Sequence, residues 1–346
     1  MFEQLLPQLS ARQSLSDDQV HQAVDWLADP ALDAGVKAEF LAALAQKGET
    51  PAEIAAFARS LRDKSVCPAL DPATRTREIL DIVGTGGDRL GTINISTTAA
   101  LICAAAGVTV AKHGNRAVTS QAGSADVLEA LGIRIDLSPA EAAAALRDHQ
   151  FAFFFAPNYH PAFQHIGPAR KLCAARGQRT VFNLLGPLLN PARPSAMLMG
   201  VPKPEWCEPL AVVLQSLGVR RAMVVCGQAG ADGYFDELST LGENTIAEFY
   251  QARGFSVSSG RPDFLPLLPA GLADLKGGDK WANAAVVRNI LHGEEEGPKR
   301  QAVLLNAAAA LFVAGQAKSL AEGWDLGASI IDSGRAAAKL AELTTA

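Results

Sequence analysis

The stretch from Asp81 to Asp126 constrains the fold of this chain more than any other. An apolar run, Ile79 to Val83, breaks at Gly84-Thr85-Gly86-Gly87-Asp88, and an almost unbroken Ala/Leu/Ile face follows from Ser96 to Gly107. That order reads as strand, glycine loop, helix. Glycines let the backbone turn with positive φ and approach a ligand closely, while the free N–H groups of the next helix point at whatever the loop holds. Phosphate is the natural guest. A second apolar run, Val108 to Ala111, ends in Lys112-His113-Gly114-Asn115-Arg116. If the two strands are parallel neighbours, this second loop adds fixed positive charge beside the first.

Any phosphate site must be local. Against 36 Asp and Glu stand 31 Lys and Arg, and a net charge of −5 gives no general attraction to nucleic acid or to an anionic membrane. At 346 residues and 49% hydrophobic side chains, the chain suits a large α/β unit with a smaller companion. Aromatics make up only 6%, so closely packed alanine-rich helices are expected rather than an aromatic binding surface. Cys67, Cys103, Cys173, Cys207 and Cys226 form no CxxC pair or metal-ligand spacing, and read as reduced thiols packed as small hydrophobes. With no secretory pattern at the N-terminus and no apolar run of membrane-spanning length, a cytoplasmic, soluble protein is expected.

The first seventy residues read as short helices. Ser16 with Gln19 forms a capping box and Asp29-Pro30 stops that helix; a second carries Phe40, Leu41 and Leu44 and ends at Gly48; a third opens on Thr50-Pro51-Ala52-Glu53. Val66 to Pro72 reads as a linker and candidate hinge, which divides the chain into a helical domain over 1–72 and an α/β domain over 73–346. Further on, Ser124 to Gly132 and the segment opened by Ser138-Pro139 read as capped helices. Phe151–Ala156, Ala196–Val201 and Ala222–Val225 read as strands buried on both faces of a mostly parallel sheet. Phe182 to Pro191 mixes apolar and breaker residues and is left unassigned. Weak alternation marks Thr245–Phe249 and Phe255–Val257 as strands, and from Ala282 onward the chain is helical, with Asn306 read as the start of an alanine-rich helix that Gly315 closes.

Gly84 to Asp88 is neither the dinucleotide fingerprint nor the Walker loop, which disfavours NAD and ATP. Asn94-Ile95-Ser96-Thr97 places an amide and two hydroxyls at a helix N-terminus, where ordinary capping needs only one of them. Lys112, His113, Asn115 and Arg116 around Gly114 are more easily explained by an anionic ligand than by solvation. Asp236-Glu237 reads either as a solvated pair or as a magnesium site completed by substrate phosphates. Arg170 reads either as a surface arginine or as a bidentate partner for a substrate carboxylate. His113 and His160 have no Ser, Cys or Asp partner in the sequence, so no nucleophilic triad is argued.

The ordered blocks GTGGD, NIST, KHGNR, GSADVLEALG, FAPNYHPAF, RTVFNLLGPLLNPA, DELST and VLLNAAAAL resemble the anthranilate phosphoribosyltransferase family. The resemblance implies a fold shared with pyrimidine nucleoside phosphorylases, a homodimer, and a return of part of about 165–192 toward the helical domain. It also implies transfer of phosphoribose from 5-phosphoribosyl 1-pyrophosphate to anthranilate in tryptophan biosynthesis, with Mg²⁺ as cofactor. Carried over residue by residue, donor binding falls to Gly84, Gly87, Asp88, Thr92, Asn94, Ile95, Ser96, Thr97, Lys112, His113, Gly114, Asn115, Arg116, Ser120 and Ser124. Metal binding falls to Ser96, Asp236 and Glu237, and anthranilate binding to Gly84, Asn115 and Arg170. No side chain is implied as a covalent or acid–base catalyst. An aromatic amine is already neutral at pH 7, so positioning and electrostatics carry the chemistry.

The chain departs from the family pattern at Arg89, where a small residue is usual, at Ile93, Thr119 and Cys226, and in a longer segment between Arg170 and Arg179. Arg89 bears on the pyrophosphate end of the pocket or on the choice of substrate. Two alternatives therefore stand beside the main reading: a related phosphoribosyltransferase or nucleoside phosphorylase acting on a different aromatic acceptor, and a non-catalytic nucleic-acid-binding relative. The acidic balance and the complete loops count against the second.

Overall fold

The computed structural model describes residues 2–117, 121–250 and 254–345. After α1 (Leu6–Ser10), three helices form the N-terminal bundle: α2 (Asp17–Ala28), α3 (Ala34–Lys47) and α4 (Pro51–Asp63). The expected capping boxes at Ser16 and Thr50 are both present, and Asp29 and Gly48 close α2 and α3. Local chemistry suffices for these boundaries, because each cap satisfies orphan N–H groups within one turn. The linker is interrupted by α5 (Pro72–Thr76), capped by Asp71.

The α/β unit follows in order: β1 (Ile79–Gly84), α6 (Ile95–Ala105), β2 (Thr109–Gly114), α7 (Ser124–Leu131), α8 (Pro139–His149), β3 (Phe151–Phe155), α9 (Ala156–Tyr159) and α10 (Phe163–Ala175). Next come α11 (Phe182–Leu185), a 3₁₀ turn at Gly186–Leu189, β4 (Ala196–Gly200), α12 (Cys207–Ser216), β5 (Arg221–Gln228) and β6 (Tyr234–Phe235). The chain ends with β7 (Asn244–Tyr250), β8 (Phe255–Gly260), α13 (Lys280–Leu291), α14 (Pro298–Val313), α15 (Leu320–Asp332) and α16 (Arg335–Thr345). The sheet order is β3-β2-β1-β4-β5-β7-β8, with β6 paired to β5; β3 through β5 run parallel and β6 to β8 antiparallel. A mostly parallel sheet is therefore the observed core. One of its faces packs under α6 and α14, and the other shares a continuous apolar core with the N-terminal bundle, α10, α11 and α12.

Two expectations are corrected. β2 does not end at Ala111: it continues through Lys112, His113 and Gly114, paired residue by residue with Phe153, Phe154 and Phe155. Polarity suggested a loop, but ladder hydrogen bonds and burial on both faces hold these residues in the strand. Asn306 does not open a helix. α14 begins at Pro298, a proline suited to N1, and Asn306 lies in its buried middle.

Candidate active site

Parallel sheets bind ligands beyond the carboxyl ends of their strands, where the strand order reverses. Here that point is β1, which lies between β2 and β4. Gly84 and Gly200 are register partners at the ends of β1 and β4, and Gly227 lies near the end of β5. Across them runs the acidic loop. A Cβ on Gly200 would lie 1.5 Å from the Asp236 carbonyl oxygen, one on Gly84 2.5 Å from Asp236 Oδ2, and one on Gly227 2.5 Å from the Ser239 nitrogen. Three strand-end glycines thus let Asp236 and Glu237 lie directly on the sheet. The Gly86 N–H donates to Asp236 Oδ2, which joins the glycine loop to the acidic loop.

Asp236 is only 8% exposed, so a solvated surface pair is not what this sequence forms. Burial and the neighbouring Asp88 carboxylate raise the Asp236 carboxyl well above the usual carboxylate range; burial and Asp236 do the same to Glu237. Asp88 is raised mainly by burial. Opposite them stands Lys112, 1% exposed, whose Nζ donates to the Ile82 carbonyl at 2.6 Å and reaches Ser96 Oγ at 3.5 Å. Burial lowers the Lys112 pKa, while Asp81 and Glu237 oppose that shift.

The N-terminus of α6 faces the same place. Its N-cap, Asn94, makes no capping bond, and neither Ser96 nor Thr97 caps the helix. The Ser96 N–H donates instead to Glu237 Oε1 at 3.2 Å, and Asn94 Oδ1 accepts from Asn283 at 2.9 Å. Ile95 is buried in the main core, while Thr92 bridges to Lys276. The hydroxyls of Thr85 and Thr97 are buried without a partner among the described residues. Buried polar atoms are nearly always paired, so two orphan hydroxyls, one on the glycine loop and one in the first turn of α6, fit a polar guest.

The donor set suits magnesium. Among the described residues no three His, Cys, Asp or Glu side chains form a ready-made metal cage. Mg²⁺ characteristically takes one or two carboxylates and fills its octahedron with water and substrate phosphate oxygens. Burial, and for Asp236 the neighbouring Asp88, make ionisation of Asp236 and Glu237 costly without a cation.

Strand alternation separates the residues of the KHGNR block. Lys112 points into the phosphate side, whereas His113 meets His160 on the other, with Nε2 atoms 3.2 Å apart. Burial pushes His113 down to about 3 and His160 to about 4, so both rings are neutral at pH 7. His160 packs edge-on against Phe163, and Phe163 edge-on against Phe182. Arg170 lies over both phenyl rings at 5.9 and 5.4 Å and has no carboxylate partner among the described residues. A desolvated guanidinium on an aromatic wall is available for a planar carboxylate. Asn115 is exposed at the end of β2, Gly114 packs against Phe153 and Ser124, and Ser124 begins α7. The Arg116 guanidinium is clamped by Asp126 and Glu129, so in this conformation it faces α7 rather than the phosphate loop. Ser120, with Thr119, lies outside the described residues.

Several residues that shape the site carry little signal in the sequence. Asp81, fully buried and raised to about 6 chiefly by burial, accepts from Asn190 Nδ2 at 2.8 Å and from the His113 N–H. Gly200 and Gly227 were equally silent, although a glycine at the carboxyl end of a buried strand is itself a signal of close approach. Arg179 lies over Trp206 and, with Gly87 and Asp88, lines a cleft of about 390 Å³ beside the glycine loop.

Residues 76–337 match the family described as glycosyl transferase family, a/b domain, and residues 3–65 match its helical bundle domain. Fold and site thus define a two-domain glycosyltransferase. An anthranilate phosphoribosyltransferase from Methanosphaerula palustris is 42% identical over 345 residues, 99% of this chain and 98% of the relative. One from Thermus thermophilus is 46% identical over 299 residues, 86% and 85% of the two chains. The crystal structure of a Thermus thermophilus anthranilate phosphoribosyltransferase matches with a TM-score of 0.87 at 42% identity, covering 98% of each chain. That of the Saccharomyces cerevisiae protein in complex with PRPP and Mg matches at 0.84 and 26% identity, covering 98% and 96%. This chain belongs to the anthranilate phosphoribosyltransferase family.

Proposed function

We propose that the chain transfers the phosphoribosyl group of 5-phosphoribosyl 1-pyrophosphate to the amino group of anthranilate, releasing pyrophosphate, as a step of tryptophan biosynthesis. The observation that carries this reading is the convergence of the glycine loop, the α6 N-terminus, Lys112 and the buried acidic loop at the ends of β1 and β4. The C1–O bond to pyrophosphate breaks, the bond from C1 to the anthranilate nitrogen forms, and the amine proton leaves to solvent or phosphate. Because the amine is neutral at pH 7, its lone pair needs no strong base. Stabilising the departing pyrophosphate is the harder task. The backbone N–H groups of Gly87, Asp88 and Thr97, the Ser96 and Thr97 hydroxyls and the Lys112 ammonium supply fixed donors for that charge. Asp236 and Glu237, with Ser96, are the residues that would hold Mg²⁺, which supplies charge neutralisation at the pyrophosphate oxygens.

On the acceptor side, Arg170 holds the anthranilate carboxylate, with Asn115 and Gly84 as its neighbours in the site. The remaining donor contacts are assigned to Asn94, Ile95, Thr92, Gly114, Ser120 and Ser124, while His113 and Arg116, whose side chains are turned to His160 and to α7, border the donor through their backbone. Arg89 is exposed, at φ 58°, on the outer turn of the glycine loop, and the wall of Phe163, Phe182 and Arg170 is built without it. We take the cytoplasmic homodimer as the working form. The five thiols are free, four of them buried, which suits a reducing compartment.

Arg170→Ala tests the reading. Loss of a bidentate charge-assisted contact raises the anthranilate KM by about tenfold to a hundredfold and leaves the donor KM within a few fold. Equal effects on both constants would remove Arg170 from the acceptor site.

A further inference from the structure

An asparagine in a helix interior is unfavourable unless its amide has specific work, because it competes for backbone hydrogen bonds. Asn306 lies in the middle of α14, wholly buried among Ala302, Val303, Leu304, Leu305 and the following alanines. Its Oδ1 accepts from the Leu238 N–H at 2.9 Å, and its Nδ2 donates to the Leu238 carbonyl at 3.0 Å and to the Ala302 carbonyl at 2.9 Å. Both backbone groups of Leu238 are thus held by one side chain, and Leu238 directly follows Glu237. From the sheet side Asn244 does the same for Ser239: its Oδ1 accepts from the Ser239 N–H at 2.7 Å, and its Nδ2 donates to the Ser239 carbonyl at 2.9 Å. Ser239 Oγ also donates to the Gln228 carbonyl.

This two-sided grip opposes a specific force. Asp236 is buried and Glu237 half-buried against the strand ends, and hydration of two carboxyl groups favours their moving out toward water. The glycine contacts at Gly84, Gly200 and Gly227 fix how closely the loop lies on the sheet, but they are steric limits and do not pull it inward. The amide of Asn306 does.

We propose that Asn306 is a positioning residue of the metal and pyrophosphate site: it fixes the register of the Asp236-Glu237 loop from behind, so that both carboxylates stand ready before any cation arrives. The inference rests on the assignment of Asp236 and Glu237 as metal-holding residues. Outer-shell partners of metal ligands change affinity by about tenfold to a hundredfold when removed, and that is the size expected here.

The experiment is magnesium binding by isothermal titration calorimetry in the presence of inorganic pyrophosphate, on wild type, Asn306→Leu and Leu311→Ala. Asn306→Leu keeps the side-chain volume and removes all three bonds; Leu311→Ala loosens the same helix five residues further on and touches no bond to the loop. Expected is a tenfold to hundredfold weaker magnesium affinity in Asn306→Leu, little change in Leu311→Ala, and an anthranilate KM within about threefold of wild type. Should Asn306→Leu fail to fold, Asn306→Ala, which suits an alanine-rich helix, carries the same expectation. Equal magnesium affinity in wild type and variant overturns the inference, as does an equal loss in Leu311→Ala. Absence of magnesium binding by the wild type with pyrophosphate overturns instead the metal assignment on which the inference rests.

Discussion

Adding one methyl group at Gly200 tests the geometry of the site without removing a single polar group. The new Cβ would lie 1.5 Å from the Asp236 carbonyl oxygen, 2.3 Å from its carbonyl carbon and 3.1 Å from the Glu237 nitrogen. Non-bonded carbon and oxygen atoms sit roughly 3.2 Å or more apart, so one partner must retreat by about 1.5 to 2 Å. β4 cannot yield easily, because it is paired along its length to β1 on one side and β5 on the other. The acidic loop moves instead, and it carries both carboxylates. Misplacement of a site by about 1 Å can cost roughly a hundredfold in rate, while overpacking costs about 1 to 3 kcal/mol in stability. Gly200→Ala is therefore expected to fold, to lose at least about a hundredfold in kcat/KM, and to need more magnesium for half-maximal rate. Gly218→Ala is the control: Gly218 has φ 82° with nothing within 4 Å of an added Cβ, so the change strains the backbone far from the loop. Initial rates from the loss of anthranilate fluorescence across a magnesium series provide the assay. A Gly200→Ala enzyme with wild-type rates and metal titration would refute the claim that the loop lies against the strand ends.

Three further outcomes are expected. Asp236→Asn combined with Glu237→Gln removes the charge that the cation balances, so the steep magnesium dependence of the rate should vanish along with most activity; an unchanged metal titration would return this pair to a structural role. Because the folded protein holds the Asp236 and Glu237 carboxyls above their unfolded values, it retains protons there that the unfolded chain releases. Ligand-free stability should therefore fall as pH rises from about 6.5 to about 8, a window in which His113 and His160 are already neutral. Calorimetric Tm values for wild type and the doubly substituted chain decide this, since an equally steep fall in both would assign the slope to other groups. Thr97→Val, which replaces an orphan buried hydroxyl with an isosteric methyl, should leave Tm unchanged or raised while increasing the donor KM several fold; a marked fall in Tm would show that the hydroxyl serves the fold.

The parts of this molecule legible in its sequence are those fixed within a few residues. Ser16, Thr50 and Ser138 cap helices through partners three positions away, and Phe151 to Phe155 declares a buried strand by its unbroken apolar run. Gly84 to Asp88 and the start of α6 read as strand, glycine loop and helix N-terminus within one short span, and β1 and α6 have that order. The rest depends on residues far apart in the chain. Asn306 reads as a helix start because asparagine caps helices, and only the 68-residue link to Leu238 explains a buried one. Lys112 and His113 read as loop residues because they are polar, whereas the β3 ladder keeps them in a strand and its alternation sends them to opposite faces. Arg116 reads as part of an anion loop, and only the fold brings the carboxylates of Asp126 and Glu129 on α7 to its guanidinium.

The reaction itself is the most direct measurement. Wild-type protein mixed with anthranilate, 5-phosphoribosyl 1-pyrophosphate and Mg²⁺ should consume anthranilate, seen as loss of its fluorescence, with one pyrophosphate released per anthranilate and no loss when donor or metal is omitted. Donor binding by titration calorimetry without any consumption of anthranilate would contradict the account and transfer the site to a different acceptor.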